Sequence, residues 1–328
     1  MRIVPLTEAE PRPRQVAVGV FDGVHLGHRA VIAGSDTVLT FDPHPLSVIA
    51  PASAPKLLTS LETKAELVAA LGAEELVVIP FDESFAAQAP QAFVDDVLVG
   101  ALGATRVSVG RNFRFGHRAG GDTAMLAADG RFSTHVVELV EAEGETVSSS
   151  HIRGLLAAGE VGHAAVFLGR PFEVRGEVVH GDGRGRELGY PTANLVPDER
   201  YVRPDKGVYA CLANGIPAAV NIGIRPQFET GRGVLIEAFL LDFASDLYGS
   251  ELRLSFLERL RGERLFPSVE ALVQQIDRDV EATRAACARA ASAAAAIERW
   301  KSWYAATAAA ASGSLGASSR RSRAAASA

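Results

Sequence analysis

Short apolar runs alternate with helical spacings through the first half of the chain. The run Val16-Ala17-Val18-Gly19-Val20-Phe21 predicts a strand over 16–21, followed by a Gly- and His-rich turn and a few helix-compatible residues. A second strand is predicted at Thr37 to Phe41, after the turn Gly34-Ser35-Asp36. Leu61, Leu67, Val68 and Leu71 have helical spacing, Glu75 to Pro80 returns to strand, and a helix through Ala92 to Leu102 leads to a strand at Arg106 to Val109. Strands alternating with helices predict a parallel sheet covered on both faces, a doubly wound α/β domain. From Phe172 the period changes to two, in Phe172-Val174, Val208 to Leu212, Val234 to Leu241 and Leu252-Leu254-Phe256, with Gly and Pro turns between them. That pattern predicts a small antiparallel β-barrel. A last helix starts near Ser268, a good N-cap, and is expected to close the barrel by burying Val269, Leu272, Val273, Ile276 and Val280.

The expected division is therefore an α/β domain over 1–158, a barrel domain over 159–284 and an Ala-rich tail over 285–328. A helical extension around Trp300 and Trp303 fits Ala285 to Ala311, and the Ser-, Gly- and Arg-rich end from Ser312 predicts disorder. A length of 328 residues suits two cores better than one. Composition adds exclusions. An apolar share of 48% with 22% charged residues rules out wholesale disorder, and a net charge of −6 lacks the basic footprint of a nucleic-acid binder. Cys211 and Cys287 are too few for a disulfide framework or a four-thiolate metal site, which fits a reducing compartment. Met1 to Gln15 carries acids and prolines where a signal peptide needs an apolar stretch, and no run of about 18 apolar residues occurs. The expectation is a soluble cytoplasmic protein with neither a membrane nor a nucleic-acid partner.

Candidate chemistry begins at Gly19-Val20-Phe21-Asp22-Gly23-Val24-His25-Leu26-Gly27-His28, where the first strand hands over to a helix. Open parallel sheets place ligands beyond the carboxyl ends of their strands. Glycines let a phosphate approach the backbone, and a helix start offers free N–H groups. His25 and His28, three apart, can steady charge on an α-phosphate and a departing pyrophosphate without a covalent step. Ordinary helix-start residues or a zinc pair are the alternatives, the latter without a third ligand at helpful spacing. His44, between two prolines, suits a phosphate contact and a turn equally well.

The whole phrase resembles the nucleotidyltransferase signature of prokaryotic bifunctional riboflavin kinase/FAD synthetases. Other pieces follow in that family's order: Thr40-Phe41-Asp42-Pro43-His44-Pro45, Leu58-Thr59-Ser60 through Lys64, Val109 to Gly116, and Val147-Ser148-Ser149-Ser150-His151-Ile152-Arg153. The resemblance implies a Rossmann-like FMN adenylyltransferase domain, with His25 and His28 catalytic and Gly19, Phe21, Asp22 and Gly27 shaping the nucleotide site. It further implies that Asn112 contacts flavin or nucleotide and that Ser149, Ser150 and Arg153 hold ATP phosphates. Serines at a helix start followed by Arg also make a plain cap. Ser150 stands where the family usually has Thr, and Val20 where Asn is frequent. Only Arg29 to Asp36 separate His28 from the next strand, a crossover shorter than the family's.

The second half has its richest segment at Gly181-Asp182-Gly183-Arg184-Gly185-Arg186-Glu187-Leu188-Gly189-Tyr190-Pro191-Thr192-Ala193-Asn194. Glycines expose backbone N–H groups, Arg184 adds charge, and Thr192 with Asn194 offers two hard oxygens suited to magnesium. The chain has no Gly-x-x-x-x-Gly-Lys-Ser/Thr sequence, so a kinase here is not of the P-loop type. This segment resembles the riboflavin kinase motif, with Pro-Thr-Ala-Asn intact. Lys206 to Ala210, Asn221-Ile222-Gly223 through Pro226, Ile236-Glu237, Leu240 to Phe243, Tyr248-Gly249 and Leu260 to Phe266 continue the match. The resemblance implies that Gly183, Arg184, Thr192 and Asn194 bind ATP and Mg2+, that Glu237 is the base, and that Arg261 and Phe266 contact flavin. A solvated strand carboxylate, a helix-flanking cation and a core aromatic are the plain alternatives for Glu237, Arg261 and Phe266. The implied activity is phosphorylation of riboflavin to FMN and adenylylation of FMN to FAD, with ATP as co-substrate. A kinase with impaired adenylylation and a non-catalytic flavin-binding regulator are the competing readings.

Overall fold

The computed structural model describes residues 1–181, 185, 188–224 and 234–293. The expectations for Gly183, Arg184, Pro226 and the chain beyond 293 lie outside the described residues.

The first half is built on strands β1 (Arg2–Pro5), β2 (Arg14–Val18), β3 (Thr37–Asp42), β4 (Glu75–Pro80), β5 (Ala104–Gly110) and β6 (Ser133–Val137). They form one parallel sheet in the order β1-β4-β3-β2-β5-β6. Helices α1 (Leu26–Ile32), α2 (Pro45–Ile49), α3 (Leu61–Ala69), α4 (Glu83–Ala86), α5 (Pro90–Ala92) and α6 (Thr123–Ala128) connect them, α5 continuing as a π-helix over Phe93–Ala101. Strand alternation serves two cores. Val16, Val18, Leu39, Val77, Ile79, Val107 and Val109 face the π-helix and its Phe93, Val97 and Leu98. Ala17, Val38 and Leu76 face α1 and α3 through Val31, Ile32, Ala65 and Val68. Burial on both faces explains why these strands are continuous apolar runs. The sheet runs one way from β2 through β3 to β4 and the other way from β2 through β5 to β6, so its switch point lies between β2 and β5. That is where such sheets bind ligands.

One expectation is corrected here. The first strand stops at Val18 rather than Phe21, because the chain folds back on itself: Phe21 has φ 51° and its ring lies over Gly19, where a Cβ would sit 3.0 Å from ring carbons. The short crossover also closes. The seven-residue α1 suffices to bring β2 and β3 into parallel register at Val16↔Thr37, since the loop 19–25 spans part of the distance.

A two-stranded hairpin, β7 (Glu141–Ala142) and β8 (Glu145–Thr146), precedes α7 (Ser149–Ala157) and α8 (Val161–Leu168). The second half is a closed barrel of β9 (Phe172–Val179), β10 (Ala193–Leu195), β11 (Gly207–Ala213), β12 (Ile216–Ile224), β13 (Val234–Leu240) and β14 (Glu251–Arg261), in the order β10-β13-β12-β11-β14-β9. Its strands pair antiparallel throughout. The barrel core of Tyr209, Val220, Ile236, Ala238 and Phe256 is continuous with Ile152 and Leu156 of α7 and Phe167 and Leu168 of α8.

Helix α9 spans 269–293, with the Ala271 N–H donating to Ser268 Oγ at 3.2 Å as the expected cap. Its buried stripe is not the expected one. Val269 is 57% exposed and Leu272, Val273, Ile276 and Val280 are only half-buried, whereas Gln275, Asp279 and Thr283 are buried. A polar network explains this seating. Asp279 accepts from Arg261 of β14 (2.8 and 3.0 Å) and from Gln275 Nε2 (2.8 Å), Thr283 Oγ1 donates to the Asp279 carbonyl (2.8 Å), and Gln275 Oε1 accepts from Arg264 (2.6 Å). A buried carboxylate paired this completely tolerates burial, and the apolar residues beside it are left to line a cavity.

Candidate functional sites

The loop between β2 and α1 is held by hydrogen bonds from three directions. Asp22 is 4% exposed and accepts from the N–H groups of Leu58 (2.9 Å) and Thr59 (3.1 Å), and Thr59 Oγ1 accepts from the Gly23 N–H at 3.1 Å. Arg153 on α7 donates to Asp22 Oδ2 at 2.5 Å and to the Lys56 carbonyl at 2.8 Å, and Ser149 Oγ donates to the Asp22 carbonyl at 2.9 Å. Arg170, just past α8, donates to the Gly23 carbonyl at 2.9 Å. Rigidity is required here because Phe21 and Val24 hold positive φ, a conformation that costs about 1–3 kcal/mol for such residues.

The outcome is a fixed histidine pair. His25 is the N-cap of α1, its Nδ1 accepting from the His28 N–H at 3.2 Å, and the two rings stack with centroids 3.5 Å apart. Gly27 makes room, since a Cβ there would meet the His25 ring at 3.3 Å. Burial lowers the His25 pKa from 6.5 to about 4, and burial together with the His25 and Lys64 charges holds His28 well below the usual histidine value. Both rings are therefore neutral at pH 7. The Nδ1 of His25 is occupied as an acceptor, so its proton sits on Nε2 and the ring offers an N–H rather than a charge. This has a consequence for stability. Because the folded His25 pKa lies below the unfolded one, the unfolded chain binds more protons between pH 6.5 and 4, so stability is full above 6.5 and is lost as pH falls through that window. The loss is roughly 3 kcal/mol at the acid end. Denaturant titrations of wild type and His25→Gln from pH 7 to pH 4 should show the variant losing less, and parallel curves would mean that His25 is not buried neutral.

Beside the pair lies a cavity of about 860 Å³ lined by Gly19, Phe21, His28, Asn112 and a set of aromatics, Phe41, Phe81, Phe85, Phe93, Phe113 and Phe115. Their rings meet at centroid distances of 5.2 to 6.5 Å. Such walls suit a flat heteroaromatic ring system. Of the other expected phosphate contacts, Ser148 rather than Ser149 or Ser150 caps α7, accepting from the His151 N–H at 3.2 Å, and Ser150 is exposed. His44 caps α2, its Nδ1 accepting from the Leu46 N–H at 3.1 Å.

Sequence reasoning named Lys64 only as the end of a motif, without a role, and did not name Arg170. Lys64 is 6% exposed and donates to the Val20 carbonyl (2.8 Å) and Thr40 Oγ1 (3.2 Å), and burial lowers its pKa. The available signal was a lysine on the buried face of a short helix, beside Ala65 and Val68.

The second site sits on the outer wall of the barrel, not inside it. Alternation on β13 sends Ile236 and Ala238 into the core, and Glu237 and Phe239 to the other face, where Ala219 and Asn221 of β12 and Val208 of β11 join them. Helix α9 roofs this face through Leu272 and Ile276, leaving a cavity of about 430 Å³. Register brings the polar groups together: Asn194 and Asn221 both stand directly opposite Glu237, on β10 and β12, and Asn221 Nδ2 donates to Glu237 Oε2 at 3.2 Å. Thr192 lines the same cavity. Asn194 is 6% exposed and packs against Gly181, where a Cβ would come within 2.3 Å of its amide. Arg261 reaches the cavity while bound to Asp279, and its guanidinium lies 5.6 Å from the Phe266 ring centroid.

A Gly- and His-rich loop at a sheet switch point and a carboxylate and amide cluster on a barrel wall give the chain two separate candidate sites, the arrangement of a fused two-domain protein. Family models agree: the FAD synthetase model matches residues 7–151 and the riboflavin kinase model residues 168–287. A bifunctional riboflavin kinase/FMN adenylyltransferase from Listeria monocytogenes is 40% identical over 84% of this chain and 92% of its own length. The Escherichia coli K12 protein of the same description is 38% identical, over 84% and 93%. A crystal structure from Streptococcus pneumoniae, described as a macrolide-efflux protein, superposes with a TM-score of 0.78 at 29% identity over 87% of this chain and 99% of that one. Among the described residues, no helix is long and apolar enough to cross a membrane. The chain belongs to the bifunctional riboflavin kinase/FMN adenylyltransferase family.

Proposed function

We infer that the protein makes FAD from riboflavin in two ATP-consuming steps, one on each half of the chain. The observation that carries this is the presence of two assembled sites: the buried histidine pair beside an aromatic-walled cavity, and Glu237 in register with Asn194 and Asn221.

In the barrel step the terminal ribityl hydroxyl of riboflavin attacks the γ-phosphorus of ATP, its proton passes to the Glu237 carboxylate, and ADP leaves. Asn221 orients that carboxylate through its 3.2 Å hydrogen bond. Thr192 and Glu237 turn oxygens to the cavity and Asn194 stands opposite Glu237 in register, a set of hard oxygens that fits Mg2+. When bound, Mg2+ would supply charge neutralisation of the ATP phosphates.

In the second step a phosphate oxygen of FMN attacks the α-phosphorus of a second ATP and pyrophosphate leaves. No proton need be removed, because the attacking phosphate is already anionic. His25 and His28 donate N–H groups to the charge that develops, Asn112 and the phenylalanine walls position the flavin, and Asp22 with Arg153 keeps the loop in place. ATP and free flavins as substrates favour a cytoplasmic setting.

Chromatographic separation of flavins after incubating the purified protein with riboflavin, ATP and magnesium tests the proposal. FMN and FAD should both appear. FMN alone would mean that the short α1 crossover disables adenylylation, and neither product would leave a flavin-binding protein.

A further inference from the structure

A third cavity, of about 430 Å³, lies between the two halves of the molecule and shares Arg153 with the first site. Backbone hydrogen bonds assemble it. Leu57 donates to the Arg200 carbonyl at 2.9 Å and accepts from the Val202 N–H at 2.8 Å, which lays Lys56 beside Arg203. The Asp205 N–H donates to the Leu156 carbonyl at 3.0 Å, which lays the 203–206 segment along α7, where Arg153 and Ala157 complete the wall.

The lining is strongly cationic in a protein of net charge −6: Lys56, Arg153, Arg203 and Lys206 against a single carboxylate, Asp205. Asp205 is already paired with Arg259 at 3.0 Å, and Arg153 with Asp22. Among the described residues, Lys56, Arg203 and Lys206 have no salt-bridge partner. Like charges gathered in one concavity repel one another and raise the local concentration of anions. The position is informative too. Arg153 reaches from this cavity to the loop that carries the histidine pair, and Lys206 stands two residues before Val208, which lines the barrel site.

We propose that this interdomain cleft is an anion site that takes a phosphate-bearing ligand of the size of pyrophosphate or the phosphate end of FMN, held by Lys56, Arg203 and Lys206 beside Arg153. Arginine and lysine together supply a forked and a point-charge donor, the pairing suited to phosphate oxygens. Naming those two ligands rests on the function proposed above; the binding does not.

The test is equilibrium dialysis of radiolabelled inorganic pyrophosphate against the full-length protein without ATP or magnesium, comparing wild type with Lys56→Gln/Arg203→Gln. Neither side chain makes a hydrogen bond or salt bridge among the described residues, so the variant should keep the wild-type thermal midpoint. The expected result is binding about tenfold weaker in the variant, with a wild-type affinity that falls steeply with salt. Coincident isotherms would overturn the site. Two activity readouts then identify the natural ligand. If FMN in transit uses the cleft, the variant supplied with riboflavin releases more free FMN before FAD appears. If pyrophosphate uses it, product inhibition of FAD formation weakens by the same factor as binding while FMN release is unchanged. A binding difference in a protein that makes no FAD would sustain the site and overturn the proposed function.

Discussion

His28→Ala is expected to slow FAD formation from FMN by about 10²- to 10³-fold, the range seen when one donor to a developing oxyanion is removed. FMN formation from riboflavin should be unchanged. The His28 ring stacks on His25 at 3.5 Å and lines the aromatic cavity, while its Nδ1 is shielded from solvent and has no partner among the described residues. A buried imidazole held neutral, with a nitrogen unpaired, costs stability wherever it serves structure alone. The same substitution therefore leaves the fold as stable as wild type or slightly more so, while adenylylation falls. Steady-state rates for the two half-reactions, measured separately with a thermal melt as control, check this. An adenylylation rate equal to wild type would remove His28 from the chemistry and leave Asp22, Arg153 and Ser149 as a purely architectural clamp.

Glu237→Gln is expected to give the mirror result, FMN formation falling by about 10²- to 10⁴-fold with FAD formation from supplied FMN intact. Glutamine keeps the length of the side chain and the possibility of a hydrogen bond to Asn221, but cannot take the hydroxyl proton. Asn194→Ala should lower the same step without touching the other, because Asn194 faces Glu237 across the β10–β13 pair. Single-turnover measurement of FMN production is the appropriate readout, since steady-state rates can be set by ADP release. If Glu237→Gln retains the kinase rate, the carboxylate is positioning the cavity wall rather than accepting a proton.

The two sites differ in how far they were legible. The first site could be located because its residues are contiguous, Gly19 to His28, and because further motifs follow it in the order of the family it resembles. What could not be read was that His25 is itself the cap, or that Phe21 leaves the strand; both depend on Leu58, Thr59, Ser149, Arg153 and Arg170, which approach the loop from distant parts of the chain. The kinase site was ambiguous at Glu237 because period two fixes only that 237 lies opposite 236 and 238. Which face is useful depends on α9. The stripe on that helix misled for a related reason: apolar spacing identifies a helix face, but Asp279 and Gln275 found partners in Arg261 and Arg264, and the polar face was seated instead.

By itself the sequence determined the class of each half, the order of its elements and the identity of the chemical groups. These follow from local periodicity, glycine positions and hydrogen-bonding capacity, all of which act over a few residues. Tertiary structure decided the rest: the neutral state of the histidines, set by burial; the cavity around Glu237, set by the distant helix that roofs the outer barrel face; and the cationic cleft, set by Leu57 pairing with residues 200–202. Desolvation and charge convergence are properties of neighbours in space, and chain proximity carries no record of them.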